Sequence, residues 1–151
     1  MFTVCLRYTS SREDAEDVLQ EGFIKVFRYI AKYQVGTSLT AWIKRIMINT
    51  AIDYYRKKSR RRVEDIDDAR TVFSGDPDAI SLMSAEEIID CLQRLSPAYR
   101  SVFNLYIIEG YSHKEVAEIL NISESTSRSN LVKARQKLRN LLSAKGIKNV
   151  R

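Results

Sequence analysis

The chain has 151 residues, a net charge of +6 at neutral pH and an ordinary hydrophobic content of 44%, which suits one domain or two small ones. No apolar run approaches the roughly 20 residues of a membrane span, and the first residues lack the pattern of a secretory signal. We therefore expect a cytoplasmic protein without membrane insertion, in which Cys5 and Cys91 are buried thiols. Five glycines and two prolines are too few for a turn-rich β fold, which favours an all-α fold.

The charges are unevenly distributed along the chain. Residues 1–62 carry 13 Lys/Arg and 6 Asp/Glu (+7), residues 63–84 carry 1 and 6 (−5), and residues 85–151 carry 11 and 7 (+4). A single charge run is usually a solvated face, but two basic blocks that each end on a helix favour binding to nucleic acid. The pattern predicts two small helical domains, residues 1–62 and 85–151, joined by an acidic linker, residues 63–84.

Three helical segments are predicted in the first block. Residues 2–8 resemble the end of a helix, and Ser10 and Ser11 precede a second helix that runs to about Lys32. Its apolar face is formed by residues at three- and four-residue steps, namely Ala15, Val18, Leu19, Phe23, Val26, Phe27 and Ile30. A loop over residues 33–38 leads to a third helix that begins near Leu39, where Trp42 is assigned to the core.

The second block contains four predicted helices with clear punctuation. The first spans residues 85–95, and the second begins at Pro97 and stops at Gly110. Ser112 and Glu115 have the capping-box spacing, so a third helix begins at His113. Ser123 is predicted to cap the fourth helix, which begins at Glu124.

The last two predicted helices have the arrangement of a helix-turn-helix. A short helix, a three-residue turn with one apolar residue (Ile122) and a longer helix follow one another. Two packed helices of a generic bundle are the alternative. The start of the last helix favours DNA binding, because Ser125, Thr126, Arg128 and Ser129 carry donors that can reach base edges.

Three motifs together resemble the sigma factors of the extracytoplasmic-function (ECF) type within the sigma-70 family. Residues 95–142 resemble the fourth region of these proteins, which reads the −35 promoter element. Residues 14–27 are similar to the second-region helix that docks on the basic clamp of RNA polymerase. Residues 41–56 are similar to the part that opens and reads the −10 element. The family begins earlier, so Met1 falls inside its first helix and the second region is expected to be N-terminally truncated.

The resemblance assigns three sets of site residues and no catalytic residue, metal ligand or cofactor. The first set binds polymerase through a polar, anionic face and comprises Asp14, Asp17, Gln20 and Glu21. The second set provides the cations, aromatic rings and amide that melting the −10 element requires, and it comprises Arg45, Asn49, Tyr54, Tyr55 and Arg56. The third set reads the −35 element and comprises Ser125, Thr126, Arg128, Ser129, Val132 and Lys133. The implied partners are core RNA polymerase, promoter DNA and, as a candidate, an anti-sigma factor.

One departure from the family concerns the last helix. Members often have Gly and Val where this chain has Ser125 and Ser127, and Arg where it has Asn130. Ser127 lies four residues before Leu131, on the apolar side. We expect its hydroxyl to be buried and to bond back to the carbonyl of Ser123.

An enzyme is not predicted, because the only histidine, His113, is expected on the surface without a metal-binding or catalytic cluster around it. Two other classes of protein remain as alternatives to a sigma factor. One is a stand-alone helix-turn-helix repressor or activator whose first block dimerises or senses a signal, although the acidic face of Asp17, Gln20 and Glu21 does not suit a dimer interface. The other, a structural helical adaptor, leaves the basic helix ends unexplained.

Overall fold

A computed structural model describes residues 1–61 and 84–144, with backbone positions only for residues 59–61. These residues form helices and turns, and no strand occurs among them, which confirms the predicted all-α fold. The chain divides into two compact units, and each is described by itself. The predicted acidic linker lies outside the described residues except for Ser84. No helix in the described ranges is both long enough and apolar enough to cross a membrane.

The first unit contains three α-helices. They are α1 (Phe2–Tyr8), α2 (Arg12–Tyr29) and α3 (Leu39–Arg61). The predicted starts of α2 and α3 are confirmed, and the Ser11 side chain caps α2 by accepting a hydrogen bond from the Asp14 amide at 3.1 Å. The helix predicted to reach Lys32 ends at Tyr29, because the chain tightens into a 3₁₀ turn, Ile30–Lys32.

Helices α1, α2 and α3 enclose a small apolar core. Its buried members are Cys5, Tyr8, Ala15, Val18, Val26, Met47, Ile48, Ala51, Ile52 and Tyr55. At Gly22, α2 approaches α3 so closely that a Cβ atom would lie 2.3 Å from the Met47 sulfur. Burial raises the pKa of Cys5 to about 11, so its thiol stays protonated and acts as a small apolar group.

The predicted core of the first unit was wrong at three positions. Phe23, Phe27 and Ile30 are exposed to 36%, 75% and 48%. The apolar stripe of α2 is wider than the surface that α1 and α3 cover, so its C-terminal part is left exposed. Trp42 is only half-buried and packs beside Tyr33, with ring centroids 5.6 Å apart, on the margin of the core.

The second unit contains four α-helices. They are α4 (Ala85–Gln93), α5 (Pro97–Phe103), α6 (His113–Leu120) and α7 (Glu124–Ala144). The predicted second helix of this block changes at Asn104 into a turn of π-helix, Asn104–Ile108. Gly110 follows with a φ of +79°, which agrees with the predicted stop because only glycine adopts this conformation without strain.

Side-chain caps and one buried arginine add polar contacts to the apolar core of the second unit. The capping box of Ser112 with Glu115 is confirmed, and Ser84 with Glu87 forms a second one. Arg100 on α5 is 1% exposed. It donates from Nε to the Leu92 carbonyl at 2.8 Å and from one terminal nitrogen to the carbonyls of Gln93 at 2.9 Å and Leu95 at 2.6 Å. The guanidinium therefore closes the C-terminal end of α4 and fixes α5 against it.

Candidate nucleic-acid interface

The helix-turn-helix is formed by α6, a three-residue turn and α7. Asn121 takes the left-handed conformation, with a φ of +54°, and the Ile122 amide donates to the Ala117 carbonyl at 3.0 Å. The Ser123 hydroxyl accepts from the Thr126 amide at 3.0 Å and lies 2.9 Å from the Ser125 hydroxyl. Ser123 therefore caps α7 as predicted, and the cap fixes the direction in which α7 leaves the turn.

All six residues predicted to read the −35 element lie on the exposed side of α7. They are Ser125, Thr126, Arg128, Ser129, Val132 and Lys133. Arg128 forms an ion pair with Glu124 one turn earlier, so its guanidinium must leave this partner or share it in order to reach a base. Val132 is 65% exposed, an apolar side chain among polar ones.

Two expectations about the helix-turn-helix interior were wrong. His113 is not on the surface but 8% exposed, stacked on Tyr106 with ring centroids 4.1 Å apart. Ser127 is fully buried as expected, but its hydroxyl meets Nδ1 of His113 at 2.9 Å and not the Ser123 carbonyl. The Ser127 hydroxyl therefore bonds across to α6 and not along its own helix, so its hydrogen bond joins the two helices.

A buried carboxylate links α2 to α3 in the first unit. Asp14, which is 7% exposed, accepts hydrogen bonds from Tyr54 at 2.7 Å, Tyr55 at 3.0 Å and Lys58 at 3.1 Å. Burial raises the pKa of Asp14, but the hydrogen bonds from Tyr54, Lys58 and Tyr55 outweigh it and hold the pKa below its ordinary value. The same contact, with burial, raises the pKa of Tyr54 to about 12.

The predicted −10 set is therefore divided between the surface and the interior. Arg45, Asn49 and Arg56 on α3 are exposed, Tyr54 is half-buried and Tyr55 is buried. Tyr55 uses its hydroxyl on Asp14 and on the Ser10 amide at 2.6 Å. The burial of Tyr55 argues against a direct contact with DNA, because its ring and hydroxyl are both committed to the packing of α1, α2 and α3.

The predicted polymerase-binding set is divided in the same way. Asp17 and Gln20 are exposed on α2, whereas Asp14 is buried in the contact described above, which speaks against a direct role in docking. Glu21 is half-buried between cations, 3.2 Å from Lys25 and 4.0 Å from Lys57.

Two exposed apolar residues continue this face towards the C-terminal end of α2. Ile24 is 57% exposed and Phe27 is 75% exposed. They follow Gln20 at steps of four and three residues, the spacing at which helical side chains lie on one face. Ile24 was not among the predicted site residues and Phe27 was assigned to the core, although this spacing was readable from the sequence.

The loop between α2 and α3 is held by its own hydrogen bonds. The Tyr33 hydroxyl donates to the Thr37 carbonyl, and the Thr37 hydroxyl donates to the Gln34 carbonyl at 2.8 Å. Gly36 has a φ of +97°, and the Ser38 hydroxyl accepts from the Ala41 amide at 3.2 Å. Val35 projects from this hydrogen-bonded loop with 95% of its surface exposed.

Replacing Asp14 with asparagine should lower the pKa of Tyr54 from about 12 towards 10, because the hydrogen bond to the carboxylate is the largest cause of the shift. Since the folded state holds the Tyr54 proton more tightly, the stability that this contact adds is complete below pH 10 and lost as pH rises through about 12. Ultraviolet titration of phenolate formation measures the change. The step near pH 12 should vanish in Tyr54→Phe and persist in Tyr29→Phe; its persistence in Asp14→Asn would contradict the assignment.

The described residues contain no group of three or more His, Cys, Asp or Glu side chains that could hold a metal ion. The features that the two units do present are the exposed donor face of α7, the cationic and amide side chains of α3, and the mixed acidic and apolar face of α2.

Two family models match this chain in the order of its two units. The one described as "Sigma-70 region 2" matches residues 1–61, and the one described as "Sigma-70, region 4" matches residues 85–138. Residues 1–61 are the described part of the first unit, and residues 85–138 reach from the start of α4 to within the last two turns of α7.

Curated proteins with similar sequences carry sigma-factor names. The chain is 33% identical over 147 residues to the ECF RNA polymerase sigma factor SigE of Mycolicibacterium smegmatis, covering 94% of this chain and 57% of the relative. It is 32% identical to the ECF RNA polymerase sigma-E factor of Haemophilus influenzae, covering 89% and 77%. The chain thus spans a little over half of the mycobacterial relative and about three quarters of the other.

Solved structures share the fold at lower sequence identity. The sigma factor RpoE of Bartonella quintana, in a co-crystal with the anti-sigma factor NepR, is 21% identical with a TM-score of 0.58, covering 94% of this chain and 89% of that one. CnrH, in complex with the cytosolic domain of CnrY, is 22% identical with a TM-score of 0.52, covering 95% and 80%. At these identities the likeness extends to the fold alone.

Proposed function

We propose that this chain binds core RNA polymerase and directs it to promoters. The premise is that the chain belongs to the sigma-70 family of RNA polymerase sigma factors and to its ECF type. In this role it recognises the −35 element with α7, recognises the −10 element with α3 and supports strand opening there. Sigma factors are initiation factors and not enzymes, so the chemistry of RNA synthesis stays with the polymerase.

The observation that carries the proposal is the exposed face of α7. Six side chains of types suited to a major groove lie together on it, directly after a capped turn. Arg128 suits a guanine edge, Ser125, Thr126 and Ser129 suit either donor or acceptor edges, and Val132 suits a thymine methyl group. Lys133 is placed to contact a phosphate, which positions the helix without reading sequence.

In the first unit we assign the −10 role to the exposed side chains Arg45, Asn49 and Arg56, which share one side of α3. The half-buried Tyr54 stays in the proposed set, although it lies on a different side of α3 and is bonded to Asp14. Cations follow the phosphates of an opened strand, and an amide can pair with the edge of an unstacked base. Tyr55 and Asp14 act indirectly in this proposal, by fixing α3 on α2.

Docking on polymerase is assigned to the face of α2 that carries Asp17, Gln20, Ile24 and Phe27, with Glu21 at its margin. An acidic start suits the basic clamp helices that the family meets. An apolar end adds contact area whose contribution is not weakened by charge screening. An anti-sigma factor is a further proposed partner, since one structure of the same fold is a co-crystal with the anti-sigma factor NepR.

The test of the proposal is transcription by core polymerase with the full chain on closed and premelted templates. Asn49→Ala should bind the closed promoter almost as well as wild type but open it poorly, because a side chain that holds an unstacked base contributes nothing while the duplex is closed. Arg128→Ala should weaken closed binding by about 1–3 kcal/mol if it contacts a base with two hydrogen bonds.

A template that is premelted over the −10 element distinguishes the proposed role of Asn49 in strand opening from that of Arg128 in closed binding. It should rescue transcription by Asn49→Ala and fail to rescue Arg128→Ala. An equal response of the two variants to this template would contradict the division of labour between α3 and α7. If the wild-type chain fails to direct core polymerase to any template, the proposed function itself is overturned.

A further inference from the structure

A buried polar pair joins α6 to the DNA-facing part of α7. His113 is the first residue of α6 and is 8% exposed, and Ser127 on α7 is fully buried. Nδ1 of His113 lies 2.9 Å from the Ser127 hydroxyl. Ser127 stands between Thr126 and Arg128 in the chain, so it occupies the inward side of the turn whose outward side carries two candidate base-reading residues.

Contacts within α6 and with the π turn position His113 independently of its bond to Ser127. Its ring stacks on Tyr106 with an interplanar angle of 19°. The first turn of α6 is anchored by the capping box, in which the Glu115 carboxylate accepts from the Ser112 amide at 2.8 Å and the Ser112 hydroxyl accepts from the Glu115 amide at 3.3 Å. The backbone of His113 and the plane of its ring are therefore fixed by α6 and the π turn.

We propose that His113 is a positioning residue for promoter recognition: its bond to the Ser127 hydroxyl sets the rotation of α7 about its own axis. The proposal rests on the proposed role of α7 in reading the −35 element. The buried apolar side of α7 (Leu131, Ala134, Leu138 and Leu142) already favours one rotation of the helix. A hydrogen bond weakens steeply when its angle changes, so the bond to His113 adds a directional restraint at the DNA-facing end of α7. Rotation of α7 would carry Arg128, Ser129 and Val132 away from the base edges together.

The charge state of His113 suits this role. Burial lowers the pKa of His113, and the positive charge of Arg128 lowers it further, with Arg135 acting in the same direction and Glu124 opposing. The ring is then neutral at physiological pH, with one nitrogen as donor and the other as acceptor. A neutral ring can bond to the Ser127 hydroxyl without bringing a second cation close to Arg128.

The experiment compares base preference, which a merely structural role would not change, with thermal stability. Core polymerase is combined with the full chain, and promoters are selected from a library randomised over the −35 element. Ser127→Ala removes the hydroxyl, His113→Phe keeps a ring for stacking on Tyr106, and Ser127→Thr keeps the hydroxyl. Ser101→Ala, which removes a buried hydroxyl from α5, is the matched control, and thermal unfolding followed by circular dichroism shows that each variant is folded.

We expect Ser127→Ala and His113→Phe each to reduce discrimination between preferred and substituted −35 sequences roughly threefold to tenfold. The double variant should lose no more than either single one, because both remove the same bond. Ser127→Thr should retain most of the wild-type preference, and Ser101→Ala should retain all of it. If one variant fails to fold, the other measures the same bond.

Unchanged preference in a folded Ser127→Ala or His113→Phe, or losses that add in the double variant, would overturn the proposal. Arg128→Ala separates this failure from failure of the proposed function. If Arg128→Ala alters the selected sequence while the His113 and Ser127 variants do not, only the positioning role falls. If the wild-type holoenzyme selects no −35 sequence, the positioning role falls with the proposed function.

Discussion

Replacing Arg100 with methionine should destabilise the second unit by about 2–4 kcal/mol, because a buried carbonyl left without its donor costs roughly 1–3 kcal/mol. The guanidinium serves three carbonyls at the end of α4, and methionine fills similar space with no donor. Such a loss is a large part of the roughly 5–15 kcal/mol that stabilises a domain. Arg100→Lys should recover little, since one ammonium group does not reproduce the planar fork.

Urea unfolding of the full chain measures the loss of stability, and two spectroscopic signals distinguish the two units. The only tryptophan, Trp42, lies in the first unit, so its fluorescence reports on that unit while circular dichroism reports on both. Arg100→Met should move the dichroism transition of the second unit to lower urea and leave the Trp42 transition in place. Arg94→Met, which removes an exposed arginine paired with Asp90 at 3.4 Å, is the control and should cost well under about 1 kcal/mol. Equal effects of the two variants would contradict the role assigned to Arg100.

Reversing two charges on α2, Asp17→Lys with Glu21→Lys, should abolish co-elution of the chain with core polymerase at physiological salt. If this face meets the basic clamp of the family, like charges would oppose each other at the contact and cost several kcal/mol. The helix itself should persist, since neither residue belongs to the core. The change at Glu21 also removes the anionic partner of Lys25 and Lys57 and puts a third cation beside them, so thermal unfolding is measured alongside.

Two further variants test whether the effect belongs to the α2 face. Glu86→Lys with Glu118→Lys makes the same change of net charge at exposed positions of the second unit, and this control should still co-elute. Phe27→Ala keeps every charge and removes the most exposed aromatic ring of α2. It should weaken co-elution in a way that added salt does not reproduce. Co-elution of the double-lysine variant at wild-type strength would show that docking occurs elsewhere.

Local sequence patterns predicted the helices and their caps well. Ser11, Ser112 and Ser123 cap the elements for which they were predicted, because a cap is formed within three residues of the chain. The exact ends were less predictable. The 3₁₀ turn after Tyr29 and the π turn after Phe103 depend on packing that the helical period does not express.

The interior contacts of the site could not be predicted in the same way. The partners of Asp14 lie 40 to 44 residues further along the chain, and the partner of His113 lies on another helix. A single sequence shows that these residues are polar but not which polar groups meet them. The exposed Phe23 and Phe27 show the converse limit, because periodicity identifies an apolar face but not whether a neighbour covers it.

The internal hydrogen bonds of the loop between α2 and α3 have a thermodynamic consequence. Ordering a residue costs about 1–2 kcal/mol of backbone entropy. If a loop of this length became ordered only on binding, this cost would cancel much of the free energy gained from contact with the ligand. Here the Tyr33 and Thr37 hydrogen bonds and the Ser38 cap order the loop when the chain folds. A ligand that contacts Val35 therefore meets a loop that is already ordered. The favourable energy of that contact is not reduced by the entropy cost of ordering the loop.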